Sequence, residues 1–306
     1  MNISSPSTSN GINIWHTWAL TVTYEAGEYT EQKFKAEKTG GDPVIPSPNL
    51  DTDLVMACDR LADVLIKAYK NPSGRYSKLI TAKDMGHNEQ REAKLLARCP
   101  PGHEGKKLVD KPATILDASS AIITWYLPDA LTDTTQKEIR EATDFLTPSL
   151  EKSVKADGNW QTHQKWFKQD SENVGSTPGC INISPAWFQQ GHENLSDPEV
   201  SASLKGPSSE NILKGIARPA AIASAALRVM HPEQYFAGLQ TFSNLGHKAV
   251  SKELPQMPET LEYWASVFNT LSIISNQETP NHRDHLSVAE CFDILTTVGN
   301  YSNEGL

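Results

Sequence analysis

Two helical patterns lie back to back in the second half of the chain, and they constrain the fold more than any other feature. Residues 210–230 are Ala-rich, with apolar positions at helical spacing and Pro219 expected to bend the helix. Pro232 then sits in the first turn of a second helix, where its missing N–H costs little, and Tyr235, Phe236, Leu239 and Phe242 repeat at helical intervals. A further helix is expected from Asp51 or Thr52 to about Tyr69, with Val55, Leu61, Leu65 and Ala68 on one face. Helices are also expected over 88–98, 132–146 and 258–268.

Strand signals are shorter. Residues 15–37 are rich in β-branched and aromatic side chains and read as a strand or hairpin. Residues 114–127 read as one or two strands closed by Pro128, and 180–184 as a short strand inside an irregular Trp-, Gly- and Pro-rich stretch. Residues 271–275 and 289–298 read as two more strands. Residues 1–13 are expected to be a disordered start, and 14–306 one domain. Helices thus dominate the first two-thirds and strands gather toward the C-terminal end. The expected class is α+β, a helical layer laid on a β-core that has only begun.

Composition narrows the functional classes. The net charge of −9 over 306 residues argues against the chain as a whole binding a polyanion. A local basic run, Lys83, Arg91, Lys94, Arg98, Lys106, Lys107 and Lys111, reads either as a contact patch or as a solvated face. The cysteines at 58, 99, 180 and 291 form no CxxC pair and no disulfide framework. Cys99 and His103 have a spacing that metals use, but no second pair accompanies them, so a loop is the expectation. Residues 1–10 lack a basic and apolar leader, and no apolar run approaches the roughly 20 residues of a membrane span. The expectation is a protein that is not secreted and has no membrane partner, nuclear or cytoplasmic.

His282-Arg283-Asp284 carries the one metal-ligand spacing of interest. In an extended segment, residues i and i+2 point to the same side, so His282 and Asp284 reach one ion while Arg283 points away. An imidazole and a carboxylate on one side are two of the three ligands of a 2-His-1-carboxylate iron(II) site. His285 has the wrong parity for the same ion.

The flanking sequence gives this motif a context. Residues 268–301, FNTLSIISNQETPNHRDHLSVAECFDILTTVGNY, contain Ser275-Asn276, then Pro280, then the His-Arg-Asp triplet, then a stretch ending in Gly299-Asn300-Tyr301. This arrangement resembles the fungal branch of the TET/JBP dioxygenases, which are often linked to transposons. SAIITWYLPDAL (120–131), PGCINISPAWFQQGHE (178–193) and MHPEQYFAGLQTFSNLG (230–246) resemble segments of the same proteins. The resemblance spans about residues 114–301. It implies an incomplete double-stranded β-helix (jelly-roll) core and an Fe(II)- and 2-oxoglutarate-dependent enzyme. Its substrate would be the methyl group of 5-methylcytosine or thymine in DNA, with the target base flipped into the site. His282 and Asp284 match the metal ligands. Asn276 is placed to contact 2-oxoglutarate or the base, or to cap a turn. Arg283 pairs with a carboxylate or phosphate, or is solvated. A DNA partner implies a nuclear location.

One departure qualifies the resemblance. The family's distal histidine and its 2-oxoglutarate-binding arginine fall downstream of the Gly-Asn-Tyr stretch, and the sequence stops at Leu306. The expectation is a C-terminally truncated fragment with an unfinished site and no turnover of its own. His192 and His231 are the upstream alternatives for the missing ligand, and both read as structural. Two other readings stay open: a non-catalytic, transposon-associated remnant acting as a binding module, and a 2-oxoglutarate oxygenase with another substrate.

Overall fold

The computed structural model describes residues 7–9, 12–14, 17–75, 97, 109–167, 177–188, 191, 195–279, 288 and 290–299. Within these, the chain is mixed α and β. Seven α-helices and three small sheets are seen among the described residues, and none of those sheets closes on itself.

The first helix corrects the sequence expectation. Residues 15–37 are not a strand or hairpin; α1 (Trp18–Thr39) occupies most of them. Thr17 caps it by accepting the Leu20 N–H at 3.1 Å, and Gly40 ends it at φ 71°, in the left-handed region. The β-branched residues favour strands by only about 1 kcal/mol across the whole propensity range. Burying Val22, Tyr29 and Phe34 along one helical face contributes roughly 1.5–3 kcal/mol each, and that burial outweighs the strand preference.

The later helices follow their patterns. Asp51 caps α2 (Thr52–Tyr69), accepting the Leu54 N–H at 2.8 Å. Thr132 caps α3 (Asp133–Asp144), and α4 (Thr147–Ser153) follows with a proline in its first turn. Helix α5 (Ser209–Met230) runs through Pro219, and α6 (Pro232–Ser251) starts two residues after α5 ends. The expected helix over 258–268 is cut short: α7 covers only Met257–Tyr263. Beyond it the chain leaves the helical path, because Ser224 of α5 takes the Val267 N–H at 3.1 Å and the Trp264 indole donates to the Phe268 carbonyl at 3.0 Å.

The strands are short. β1 (Ser7–Ser9) and β2 (Ile12–Ile14) form an antiparallel pair. β4 (Ala113–Leu116) lies between β3 (Pro72–Arg75), to which it is parallel, and β5 (Ile122–Tyr126), to which it is antiparallel. Asp117 shapes the β4–β5 turn by accepting the N–H groups of Ser119 and Ala121. β6 (Gly179–Ile183) and β7 (Leu271–Ser275) form the last antiparallel ladder. The strand expected at 289–298 does not appear among its described residues. Residues 290–298 carry no ladder, with 290 and 291 in a turn and a bend, and among the described residues strands do not gather toward the C-terminal end.

Two main cores meet on α5. Ile212, Leu213 and Ile216 pack with Leu146, Leu150, Ile183 and Phe242. Ala217, Ala221, Ile222 and Ala225 pack with Val22, Ala26, Leu61 and Leu65 of α1 and α2. Arg228, near the end of α5, is only 5% exposed and locks α1 in place. Its Nε donates to Glu31 at 2.9 Å and its Nη1 to the Tyr24 carbonyl at 3.1 Å. The rings of Tyr24, Tyr235 and Phe236 lie 4.9–5.5 Å from the guanidinium carbon. Gly27 makes the approach possible, since a Cβ there would meet the Tyr235 hydroxyl at 2.6 Å. That hydroxyl donates to the Thr23 carbonyl at 2.9 Å. A second arginine, Arg218, bridges Asp51 at 2.9 Å and Glu138 of α3.

Removing one partner of a buried ion pair leaves the other uncompensated. Arg228→Ala is therefore expected to lower stability by about 3 kcal/mol in urea denaturation, and Arg228→Met with Glu31→Leu to recover part of that loss. Burial alone would raise the Glu31 carboxyl, but hydrogen bonds from Lys35 and Arg228 outweigh it and hold the group below its ordinary 4.5. Asp51 is likewise raised by burial and held below its ordinary 3.8, chiefly by Arg218 and the Leu54 N–H. Depressed carboxyls stabilise the fold fully above their unfolded values. Stability is thus expected to hold above those values and to fall as pH drops below 4.5 and then 3.8. A pH series of urea midpoints measures this, and Arg228→Ala should flatten the Glu31 part of the slope.

Candidate functional site

The candidate site builds outward from the β6–β7 ladder. Its register runs from Ile183 opposite Leu271 to Gly179 opposite Ser275. The ladder rests on α4. The Cys180 N–H donates to Ser153 Oγ at 2.9 Å, and Gly179 lies directly on the Leu150 carbonyl. A Cβ at Gly179 would stand 2.5 Å from that oxygen. Across the strands, Ser272 Oγ donates to Asn182 Oδ1 at 2.7 Å.

At the end of β7 the chain turns. Asn276 is half-buried with φ 54°, a left-handed conformation that asparagine tolerates better than most residues. Gln277 then bridges Phe167, and its Nε2 donates to the carbonyls of Trp160 at 3.1 Å and Gln161 at 3.0 Å. Two carbonyls on one nitrogen fix the orientation of this amide, because the flipped form would set Oε1 against both. The Glu278 N–H donates to the Trp166 carbonyl at 2.7 Å. The chain approaching His282 is therefore tied to residues 160–167.

His282, Asp284 and Arg283 lie outside the described residues, as do Cys99, His103, His192 and His285. Of the basic run 83–111, only Lys111 is described, and it is exposed. Among the described residues no group of three or more His, Cys, Asp or Glu side chains could hold a metal ion.

Downstream, residues 290–294 dock on the start of α6. Phe292 and Ile294 pack against Leu227, Tyr235 and Val267. The Gln234 side chain pairs with the Phe292 backbone like a neighbouring strand: Nε2 donates to the carbonyl at 3.0 Å and Oε1 accepts the N–H at 2.9 Å. His231 has both ring nitrogens engaged. Nδ1 accepts the Gln234 N–H at 3.2 Å, and Nε2 lies 3.0 Å from the Glu290 carbonyl. Both ring nitrogens of His231 thus face backbone groups.

Gln234 and Gln277 escaped sequence reasoning. Each reaches a backbone partner 58 or more residues away, and no local pattern announces such a contact. Neither Cys58 nor Cys180 is an activated nucleophile. Burial pushes the Cys58 thiol up to about 11 and raises the Cys180 thiol.

The ladder's dependence on Gly179 is testable. Gly179→Ala is expected to destabilise the protein by about 2 kcal/mol, because its methyl group must displace the Leu150 backbone. Urea denaturation measures the loss, and an unchanged midpoint would show that α4 does not clamp the ladder.

No family model matches this chain, and no curated protein matches it, so its functional reading rests on its own residues.

Proposed function

We propose that this chain is part of an Fe(II)- and 2-oxoglutarate-dependent dioxygenase of the TET/JBP type, acting on the methyl group of 5-methylcytosine or thymine in DNA. One observation supports the reading above the others. Segments 178–193 and 268–301, both part of the stretch that resembles that family, are partners in the fold: β6 and β7 pair residue by residue. β7 then delivers the chain, through the turn at Asn276, toward His282 and Asp284.

The donor set fits the metal. An imidazole and a carboxylate two residues apart are the hard and borderline ligands that iron(II) takes in facial sites. In this reading His282 and Asp284 hold the ion, and Asn276 contacts 2-oxoglutarate or the base. The β6–β7 ladder belongs to an incomplete jelly-roll core, with α1, α4, α5 and α6 as the helical layer packed with it. Iron, when bound with 2-oxoglutarate, supplies oxygen activation; the protein binds, orients and excludes side reactions. A DNA substrate places the protein in the nucleus. Among the described residues, no helix is long and apolar enough to cross a membrane.

Anaerobic titration with iron(II) tests the metal pair. His282→Ala and Asp284→Ala are each expected to weaken binding by more than about tenfold. Equal binding in the parent and both variants would remove the site. A panel of 5-methylcytosine DNA, unmethylated DNA, protein and small-molecule acceptors, read as succinate formation, decides the substrate class.

A further inference from the structure

We propose that Ser47, in the connection between α1 and α2, is a phosphorylation site for a proline-directed serine/threonine kinase, and that the phosphate unclasps this connection. Residues 41–47 run from the Gly40 cap of α1 to the turn that leads into α2, with no helix or strand. Ile45 and Ser47 each precede a proline, which restricts both to extended backbone. Exposure follows a three-residue repeat, as in polyproline II. Val44 packs on the core shared by α1 and α2, and Ser47 faces Glu25. Ile45, 87% exposed, and Pro48 face solvent. A kinase takes its substrate as an extended segment, and Ser47-Pro48 already has that form. Ser184 also precedes a proline, but it is fully buried. The site uses no residue of the proposed metal pair.

A clasp on α1 holds the serine. Ser47 Oγ donates to Glu25 Oε2 at 2.7 Å and accepts the Asn49 N–H at 3.3 Å. Asn49 Nδ2 donates to Glu25 Oε1 at 2.8 Å. The Leu50 N–H closes the turn on the Ser47 carbonyl at 3.1 Å, with Pro48 in the position that turns favour for proline. In the transfer, Oγ attacks the γ-phosphorus of ATP. The Oγ–P bond forms as the bond from that phosphorus to the bridging oxygen of ADP breaks, and the hydroxyl proton passes to the kinase's base. The product has no hydroxyl proton to donate to Glu25, and it sets about two negative charges against that carboxylate. Both groups then only accept. Asp51, the α2 cap, adds another negative charge four residues on, and Arg218 is already paired with Asp51 and Glu138. Repulsion therefore opens the clasp.

Incubation of the full chain with a kinase of the MAP-kinase class, ATP and magnesium, followed by phosphopeptide mass spectrometry, tests the site. Phosphate on Ser47 is expected, and its loss from that peptide in Ser47→Ala. The kinase must free Oγ before transfer, so Glu25→Ala is expected to raise the rate at Ser47 roughly fivefold. In the purified phosphoprotein, NMR amide exchange is expected to show protection of the Leu50 amide reduced about fivefold or more. No phosphate on Ser47 in the full chain, whether or not a peptide of residues 40–50 is modified, would overturn the site. Equal rates in the parent protein and Glu25→Ala, or unchanged Leu50 protection after phosphorylation, would overturn the clasp.

Discussion

The close approach of α1 to the C-terminal half of α5 governs the rest of the fold. Gly27 presents no side chain, so Tyr235 and Arg228 press against the α1 backbone. A cation this deeply buried is tolerable only because Glu31, the Tyr24 carbonyl and three aromatic rings surround it. Once α1 and α5 are joined, α2 fills the groove on one side and α6 inherits its position through Tyr235. Arg218, ten residues earlier on α5, repeats the device more openly, tying the start of α2 to α3.

The small sheets depend on this helical frame. β6 is held by α4, and β7 by β6. Where ladders stop, side-chain amides continue their hydrogen bonding. Gln277 grips two carbonyls beyond the end of β7, and Gln234 supplies Phe292 with the bonds that a neighbouring strand would otherwise make. The chain is thus fixed at residues 277–278 and again at Phe292 without a continuous sheet.

Much of this order is visible in one dimension. The cap at Asp51, the helix from about residue 132 and the Pro232 start of α6 use local chemistry, and the sequence shows them. Residues 15–37 mislead because Val22, Thr23 and Thr30 read as strand formers, while their spacing against α2 and α5 is helical. The early end of α7 depends on Ser224, 43 residues upstream of its partner. Residues 289–298 look like a strand, but at Phe292 a glutamine side chain takes the place of the strand partner. At the candidate site, the sequence shows the spacing of His282 and Asp284. The turn conformation of Asn276 and the anchoring by Gln277 are legible only in three dimensions.

Helix α5 gives its first half to one core and its second half to the other, and Pro219 falls near the changeover. A helix turns about 100° and rises about 1.5 Å per residue. Adding or deleting one residue near Pro219 would rotate Ile212 and Leu213 against Ala221 and Ile222 by that angle. One of the two cores would then lose its matching face, whatever residue was inserted. The phase of this helix is therefore as fixed as its composition.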